Sequence, residues 1–214
     1  MEARWTELDK REVLSYLGAG NGSAPRELLE AVTRGEETLR RVASPKLNYR
    51  LYPREEAEAY LRGEDVKKLL SSCHTVVFFC ATLGAGVDRD LARLQVWDMA
   101  QAVVLDACAS VAIENVCDNF MEEMKIRGYL TDRFSPGYGD LPLSVQGELA
   151  ELLELERTLG VTVTSGGLML PQKTVTAVFG IAESPQPARV RGCENCNLAE
   201  TCRFHQEGKT CGKE

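Results

Sequence analysis

Residues 133–139 read Arg133-Phe134-Ser135-Pro136-Gly137-Tyr138-Gly139 and lie between a long helical pattern and a shorter one. Pro136 and Gly137 interrupt regular structure, because proline fixes φ and lacks an N–H, and glycine tolerates positive φ. We therefore expect a loop here. Its backbone polar groups would be exposed between a guanidinium and a phenol.

Such a loop suits a small ligand that carries a carboxylate and a flat heterocycle. Arg133 can bind a carboxylate in a bidentate fork. Tyr138 can cover an aromatic ring or donate a hydrogen bond. Gly137 and Gly139 let a ligand approach the backbone. The alternative, on these residues alone, is a tight interhelical turn with an exposed arginine, since Pro-Gly turns are common.

Apolar spacing predicts the elements before the loop. Residues 47–51 alternate apolar and polar, as a half-buried strand does, and the apolar run 75–80 predicts a strand near the centre of a sheet. Residues 11–17 and the segment that begins at Pro25 predict N-terminal helices. Residues 87–127 contain no glycine or proline and can form one helix or two in series.

An ordered string of motifs follows the loop. Its parts are an acidic helix over 151–160 that ends in glycine, a threonine-bearing strand over 161–164, the tripeptide Met169-Leu170-Pro171, and a strand over 173–181. Together with the Arg-x-x-Pro-Gly-Tyr loop, this order resembles the activation domain of cobalamin-dependent methionine synthase. The resemblance covers roughly residues 75–182. The chain lacks the substrate and cobalamin modules of that synthase, so it looks like a stand-alone version of the domain.

The resemblance implies an α+β fold, with a twisted, mainly antiparallel sheet flanked by helices. It also implies a protein that binds S-adenosylmethionine and supports reductive methylation of cob(II)alamin. The partner would be a cobalamin-dependent methionine synthase or a related corrinoid protein that carries the cobalamin. The reduced cobalt is the nucleophile, so the protein's contribution is positioning and no catalytic residue is expected.

Site residues carry over from the family by position. Arg133 would grip the methionine carboxylate, Ser135, Pro136 and Gly137 would form the backbone cradle, and Tyr138 would cover the ligand or face the corrin. Glu114, on the long helix, would accept hydrogen bonds from the ligand ammonium or ribose; the alternative for it is a solvated helix face. A tyrosine pair that the family carries after its last strand has no counterpart here.

The last thirty residues differ in composition from the rest of the chain: a proline-containing linker is followed by a segment rich in cysteine. Cys193, Cys196, Cys202 and Cys211 have the spacing Cys-x2-Cys-x5-Cys-x8-Cys in a segment with little apolar content. Such a tetrathiolate set predicts a zinc site or an iron–sulfur cluster, which use the same ligands. His205 is a substitute ligand, and an unligated tail is the alternative. The module could deliver the electron that a flavodoxin or ferredoxin supplies elsewhere.

Composition bounds the remaining classes. The 214 residues carry a net charge of −7, which argues against nucleic acid as a partner. We expect no membrane span and a cytoplasmic location, so the eight cysteines would be thiols or metal ligands. The predicted division is a helical extension over 1–44, the activation-like domain over 45–184 and the Cys-rich tail over 185–214.

Two other functions stay open from the sequence. The chain could be a non-catalytic partner that only docks on a corrinoid protein, which weak or absent binding of S-adenosylmethionine would favour. It could instead be a redox or metal carrier built on the Cys module, which visible absorbance of anaerobically purified protein would favour.

Overall fold

A four-stranded antiparallel sheet with flanking helices organises the chain. The computed structural model describes residues 3–19, 24–186 and 200–206. The strands of the sheet, in spatial order, are β1 (Lys46–Pro53), β2 (Thr75–Thr82), β6 (Thr174–Ala182) and β3 (Tyr129–Leu130). A separate small sheet pairs β4 (Thr162–Val163) with β5 (Met169–Leu170). The predicted α+β class is confirmed.

Hydrogen bonds at the strand ends fix the strand directions. Between β1 and β2, the N–H of Ser44 donates to the carbonyl of Leu83 over 2.8 Å, and the N–H of Arg54 donates to the carbonyl of His74 over 3.0 Å. Residue numbers therefore rise along one strand as they fall along the other, which is the antiparallel arrangement. β3 is also antiparallel to β6, and as the last strand in the order it lies at an edge.

The two central strands are almost fully buried, and the sequence predicted this central position for β2. In β2 every residue after Thr75 is buried, and in β6 every residue except Val175 is buried. A strand that is paired along both edges and buried on both faces has no solvent side, so it needs no polar alternation.

The helices are α1 (Lys10–Tyr16), α2 (Arg26–Val42), α3 (Arg54–Ala57), α4 (Glu64–Leu69), α5 (Ala85–Trp97), α6 (Met99–Met124), α7 (Val145–Leu152), α8 (Leu155–Leu159) and α9 (Arg203–Gln206). Residues 87–127 thus form two helices in series. Asp98 separates them with a non-helical backbone, and its Oδ1 accepts a hydrogen bond from the N–H of Gln101 over 3.0 Å. An aspartate that caps a new helix in this way ends the previous one.

The acidic helix predicted over 151–160 is wrong as one continuous element. Glu154 adopts a left-handed backbone conformation with φ of 50°, and it separates α7 from α8. Leu153 and Leu155 on either side of it are both buried. On a continuous helix, residues two positions apart lie on nearly opposite faces. The break at Glu154 therefore lets both leucines enter the core.

Two compact units are distinguished within the chain. The first comprises Met1–Asn48, Phe79–Glu123 and Ala150–Val175, and the second comprises Tyr49–Phe78, Met124–Leu149 and Thr176–Glu214. The division at 44/45 and 184/185 stays a prediction.

In the first unit, α2 packs closely on α6. A Cβ at Gly35 would lie only 3.1 Å from Cys108 Sγ, which explains a glycine inside a helix.

The segment Met99–Arg127 is long and apolar enough to cross a membrane, but 61% of its most apolar window is buried, as in the core helix of a globular protein.

Candidate functional site

The edge strand of the second unit continues beyond β3 with a shifted register. Tyr129 pairs with Ala182, Leu130 pairs with Ile181, and the N–H of Thr131 donates to the carbonyl of Gly180 over 3.0 Å. The pairing with β6 resumes three residues later, with its register shifted by one residue.

Phe134 makes the resumed pair with Val178. The two residues exchange both backbone hydrogen bonds, each of 2.8 Å. Asp132 and Arg133 therefore stand opposite the single residue Phe179, which defines a one-residue β-bulge.

The bulge changes which side chains share a face. Val178 and Gly180 lie on one face of β6, so their partners Phe134 and Thr131 lie on that face too. Both partners are buried, Thr131 at 3% exposure and Phe134 at 1%. Asp132 and Arg133 then share the opposite side of the edge strand, although consecutive residues of a regular strand would alternate.

The Thr131 hydroxyl completes the ladder where the bulge begins. Its Oγ1 accepts the N–H of Gly180 over 2.9 Å and donates to the carbonyl of Asp132 over 2.9 Å. A side-chain oxygen thus replaces the backbone acceptor that a regular antiparallel pair would offer. The bulge is held by specific hydrogen bonds.

The predicted loop follows as a tight turn. The N–H of Tyr138 donates to the carbonyl of Ser135 over 3.0 Å, and the N–H of Gly137 donates to the carbonyl of Leu141 over 2.8 Å. Gly137 and Gly139 have φ of 89° and 53°, in the region that favours glycine. Pro136 and Gly137 interrupt regular structure as predicted.

The rings of Phe134 and Tyr138 contact each other edge to face, with centroids 5.3 Å apart and planes at 84°. Phe134 is anchored in the core, whereas Tyr138 is 46% exposed. The phenol ring is thereby held in one orientation with part of its surface open to a ligand.

Asp140 ties the end of the loop to helix α4. Its carboxylate accepts the N–H groups of Glu64 over 2.6 Å and Asp65 over 3.2 Å. Gly63 permits this approach, because it has φ of 99° and a Cβ there would lie 2.8 Å from the Asp140 carbonyl oxygen. The loop is therefore fixed at both ends.

Both charged residues of the bulge, Asp132 and Arg133, are half-buried. Asp132 is half-buried as a residue, but its Oδ2 is inaccessible to solvent and has no hydrogen-bond partner within the described part of the chain. A buried carboxylate oxygen without a donor is rare in folded proteins and calls for an explanation.

The predicted ligand residues thus fall into two places. Arg133, Ser135, Pro136, Gly137 and Tyr138 form one continuous segment of the second unit. Glu114 is half-buried on α6 and belongs to the first unit, so its role in the site stays a prediction.

The metal prediction falls mainly outside the described residues. Cys193, Cys196 and Cys211 lie there, and Cys202 is a half-exposed free thiol. His205 is exposed. Within residues 3–19, 24–186 and 200–206, no group of three or more His, Cys, Asp or Glu side chains could hold a metal ion.

The four cysteines that precede the Cys-rich tail are buried, as predicted: Cys73, Cys80, Cys108 and Cys117. Burial raises the pKa of the Cys108 thiol to about 12, and burial also raises the pKa of Cys80. These thiols stay protonated at neutral pH and act as small apolar groups.

Sequence patterns gave no sign of the bulge to which Thr131 and Asp132 belong. A threonine and an aspartate before an arginine are common in loops and strand ends. The register of the edge strand against β6, about 50 residues away, gives them their roles.

No protein-family model matches the sequence, and a comparison with curated proteins finds no match. Among solved structures, the crystal structure of the MetH reactivation domain bound to AdoHcy superposes with a TM-score of 0.63. The match covers 95% of this chain and 82% of that one at 14% sequence identity. The chain has the fold of the MetH reactivation domain. The fold expected from the loop and the motifs after it is confirmed.

Proposed function

We propose that this protein binds S-adenosylmethionine and supports the reductive methylation of cob(II)alamin in a cobalamin-dependent methionine synthase or a related corrinoid protein. The observation that carries the proposal is the bulge and loop over residues 132–139. It presents Arg133 and an exposed tyrosine in a chain with the fold of a domain solved with AdoHcy.

The proposed reaction has two steps. One electron from a flavodoxin, a ferredoxin or the Cys-rich tail reduces cob(II)alamin to cob(I)alamin. The cobalt then attacks the sulfonium methyl group, so that a cobalt–carbon bond forms and the sulfur–methyl bond breaks with its electron pair remaining on sulfur. The products are methylcobalamin on the partner and S-adenosylhomocysteine. The present chain acts as an accessory protein that holds the methyl donor in line with the cobalt.

Each residue predicted to bind the ligand has a proposed role. Arg133 binds the carboxylate of the methionine moiety through its guanidinium fork. Tyr138, held edge-on by Phe134, covers the ligand or faces the corrin. Ser135, Pro136 and Gly137 form the turn whose backbone the ligand approaches, and Glu114 accepts a hydrogen bond from the ligand ammonium or ribose.

The Cys-rich tail would hold zinc or an iron–sulfur cluster through Cys193, Cys196, Cys202 and Cys211. Four thiolates with a Cys-x2-Cys pair fit either group. A cluster would supply one-electron transfer, whereas zinc would supply only structure.

Calorimetric titration with S-adenosylmethionine and S-adenosylhomocysteine tests the proposal. Arg133→Ala should weaken binding by ~2 kcal/mol, or about 30-fold, because it removes a charge-assisted bidentate contact. The matched control is Arg62→Ala, which removes a surface arginine paired with Glu148 in the same unit and should leave affinity unchanged. Wild-type protein that binds neither compound would contradict the function, and unchanged affinity in Arg133→Ala would contradict the site.

Docking on a corrinoid protein without ligand binding is the second candidate. Large apolar side chains are exposed at the α5–α6 junction, namely Val96 at 77%, Trp97 at 82% and Met99 at 58%. Exposed apolar clusters of this kind often mark protein interfaces. Complex formation with a corrinoid protein that is independent of S-adenosylmethionine and is lost in Trp97→Ala would favour this candidate.

A further inference from the structure

We propose that this protein forms a symmetric homodimer in which Trp97 of each copy enters a surface groove of the other copy. The proposed interface is the dimer patch, which comprises Tyr16, Val96, Trp97, Met99 and Val103. These residues all belong to the first unit, so the inference does not depend on the proposed function.

The first observation is the groove itself. It is open to solvent, has a volume of about 230 Å³ and is lined by residues from the end of α1, from α5 and from α6. Its apolar walls include Tyr16, Leu17, Leu91, Met99 and Val103. A recess of this size and character accepts one large apolar side chain, and such buried anchors dominate the binding energy of protein interfaces.

The second observation is an exposed tryptophan beside the groove. Trp97 ends α5 and lies along the chain between Gln95 and Met99, which both line the groove. It is 82% exposed, and its neighbour Val96 is 77% exposed. A two-fold symmetric interface pairs one surface with itself, so it needs an anchor and a recess on the same surface. The dimer patch has both, which favours a second copy as the occupant over an unlike partner.

The exposed area of the dimer patch is the third observation. At roughly 150–250 Å² for a fully exposed large side chain, its five residues expose on the order of 600 Å². That is the upper end of the range for the largest apolar patch on a monomer. Two-fold pairing buries the patch once on each copy, which gives roughly 1,200 Å² in total and reaches the size of specific interfaces.

The charges around the patch also suit a second copy. The whole chain has a net charge of −7, so two copies repel each other over most of their surface. Around the patch the charges balance, because Asp106 in the groove pairs with Lys173 over 2.8 Å, and exposed Arg93 accompanies Asp98 at the end of α5. This nearly neutral face is where two copies approach at the lowest electrostatic cost.

Sedimentation equilibrium of the full chain tests the proposal. At about 100 μM the wild-type protein should have twice the mass of one chain, and Trp97→Ala should raise the dissociation constant at least about 100-fold, because the dimer loses both anchors. The matched control is Leu168→Ala, which removes another apolar side chain of the first unit that is 69% exposed, and it should leave the dissociation constant unchanged.

Mixing two variants tests the insertion of Trp97 into the groove. Val103→Trp fills the groove but keeps Trp97, whereas Trp97→Ala keeps an open groove. Each variant alone should be monomeric. The mixture should contain more dimer than either variant alone, because one Trp97 can again enter one open groove. Met99→Arg is a second groove variant if Val103→Trp does not fold.

Three results would overturn the proposal. The first is wild-type protein that stays monomeric at about 100 μM; if that monomer binds a corrinoid protein through Trp97, the surface belongs to the docking candidate. The second is a dimer that Trp97→Ala leaves intact, which would place the interface elsewhere. The third is a mixture with no more dimer than the separate variants.

Discussion

Replacement of Thr131 by valine tests whether a single hydroxyl holds the bulge. Valine has nearly the shape of threonine but cannot accept the N–H of Gly180 or donate to the carbonyl of Asp132. Thr131 is 3% exposed, so water cannot replace the lost partner without a local opening of the strand.

The expected cost follows from these two hydrogen bonds. A buried N–H left without an acceptor costs ~1–3 kcal/mol, and the second hydrogen bond contributes ~1 kcal/mol. We therefore expect Thr131→Val to lower the free energy of unfolding by about 3 kcal/mol. For a chain of this size the melting temperature should fall by roughly 6–12 °C.

Urea unfolding followed by circular dichroism measures the effect. Thr131→Ser keeps the hydroxyl and should lose only about 1 kcal/mol for the buried methyl group. Thr33→Val, on the exposed side of α2, should change stability by less than about 0.5 kcal/mol. Thr131→Val with wild-type stability, or Thr131→Ser as damaging as Thr131→Val, would refute the role of the hydroxyl. If the bulge orients Arg133, Thr131→Val should also weaken binding of S-adenosylhomocysteine.

Further predictions concern pH, the loop and the tail. The pKa of Cys108 is about 12 in the folded state against 9.0 ordinarily, so its contribution to stability is complete below pH 9 and is lost as pH rises towards 12. Urea titrations should show a total fall of ~1.4 kcal/mol between pH 8 and pH 10 for this thiol, which Cys108→Ala abolishes; an identical fall in that variant would contradict the assignment. Gly139→Ala should destabilise the loop, because the added Cβ would lie 2.7 Å from Asp65 Oδ2 at a φ of 53°, and unchanged thermal unfolding would argue against this geometry. Anaerobically purified protein should contain about one zinc or one cluster per chain, and serine at both Cys193 and Cys196 should remove it without changing the main unfolding transition. Elemental analysis that finds neither zinc nor iron would end the metal hypothesis and the tail's proposed electron transfer.

Local sequence signals were sufficient for much of the architecture. The alternation at residues 47–51 and the apolar run at 75–80 predicted β1 and β2, because strand burial depends on the identity of successive side chains. Pro136 and Gly137 predicted the loop because the backbone preferences of proline and glycine are local and act wherever these residues occur. The motif order after the loop led to the fold that the structural comparison confirms.

The parts that local signals missed depend on contacts between distant residues. The break at Glu154 lets Leu153 and Leu155 both enter the core, and the core is built from other parts of the chain. The capping of α4 by Asp140 joins positions about 75 residues apart.

The bulge is the clearest case. By itself, the sequence determined that a loop with an arginine and a tyrosine follows the long helix, since proline and glycine act locally. Only the tertiary structure decided that Asp132 and Arg133 share one side of an edge strand. Strand register is set by hydrogen bonds to a partner strand, and here the Thr131 hydroxyl and the pairing of Phe134 with Val178 shift it by one residue. That shift creates the paired charges of the proposed site.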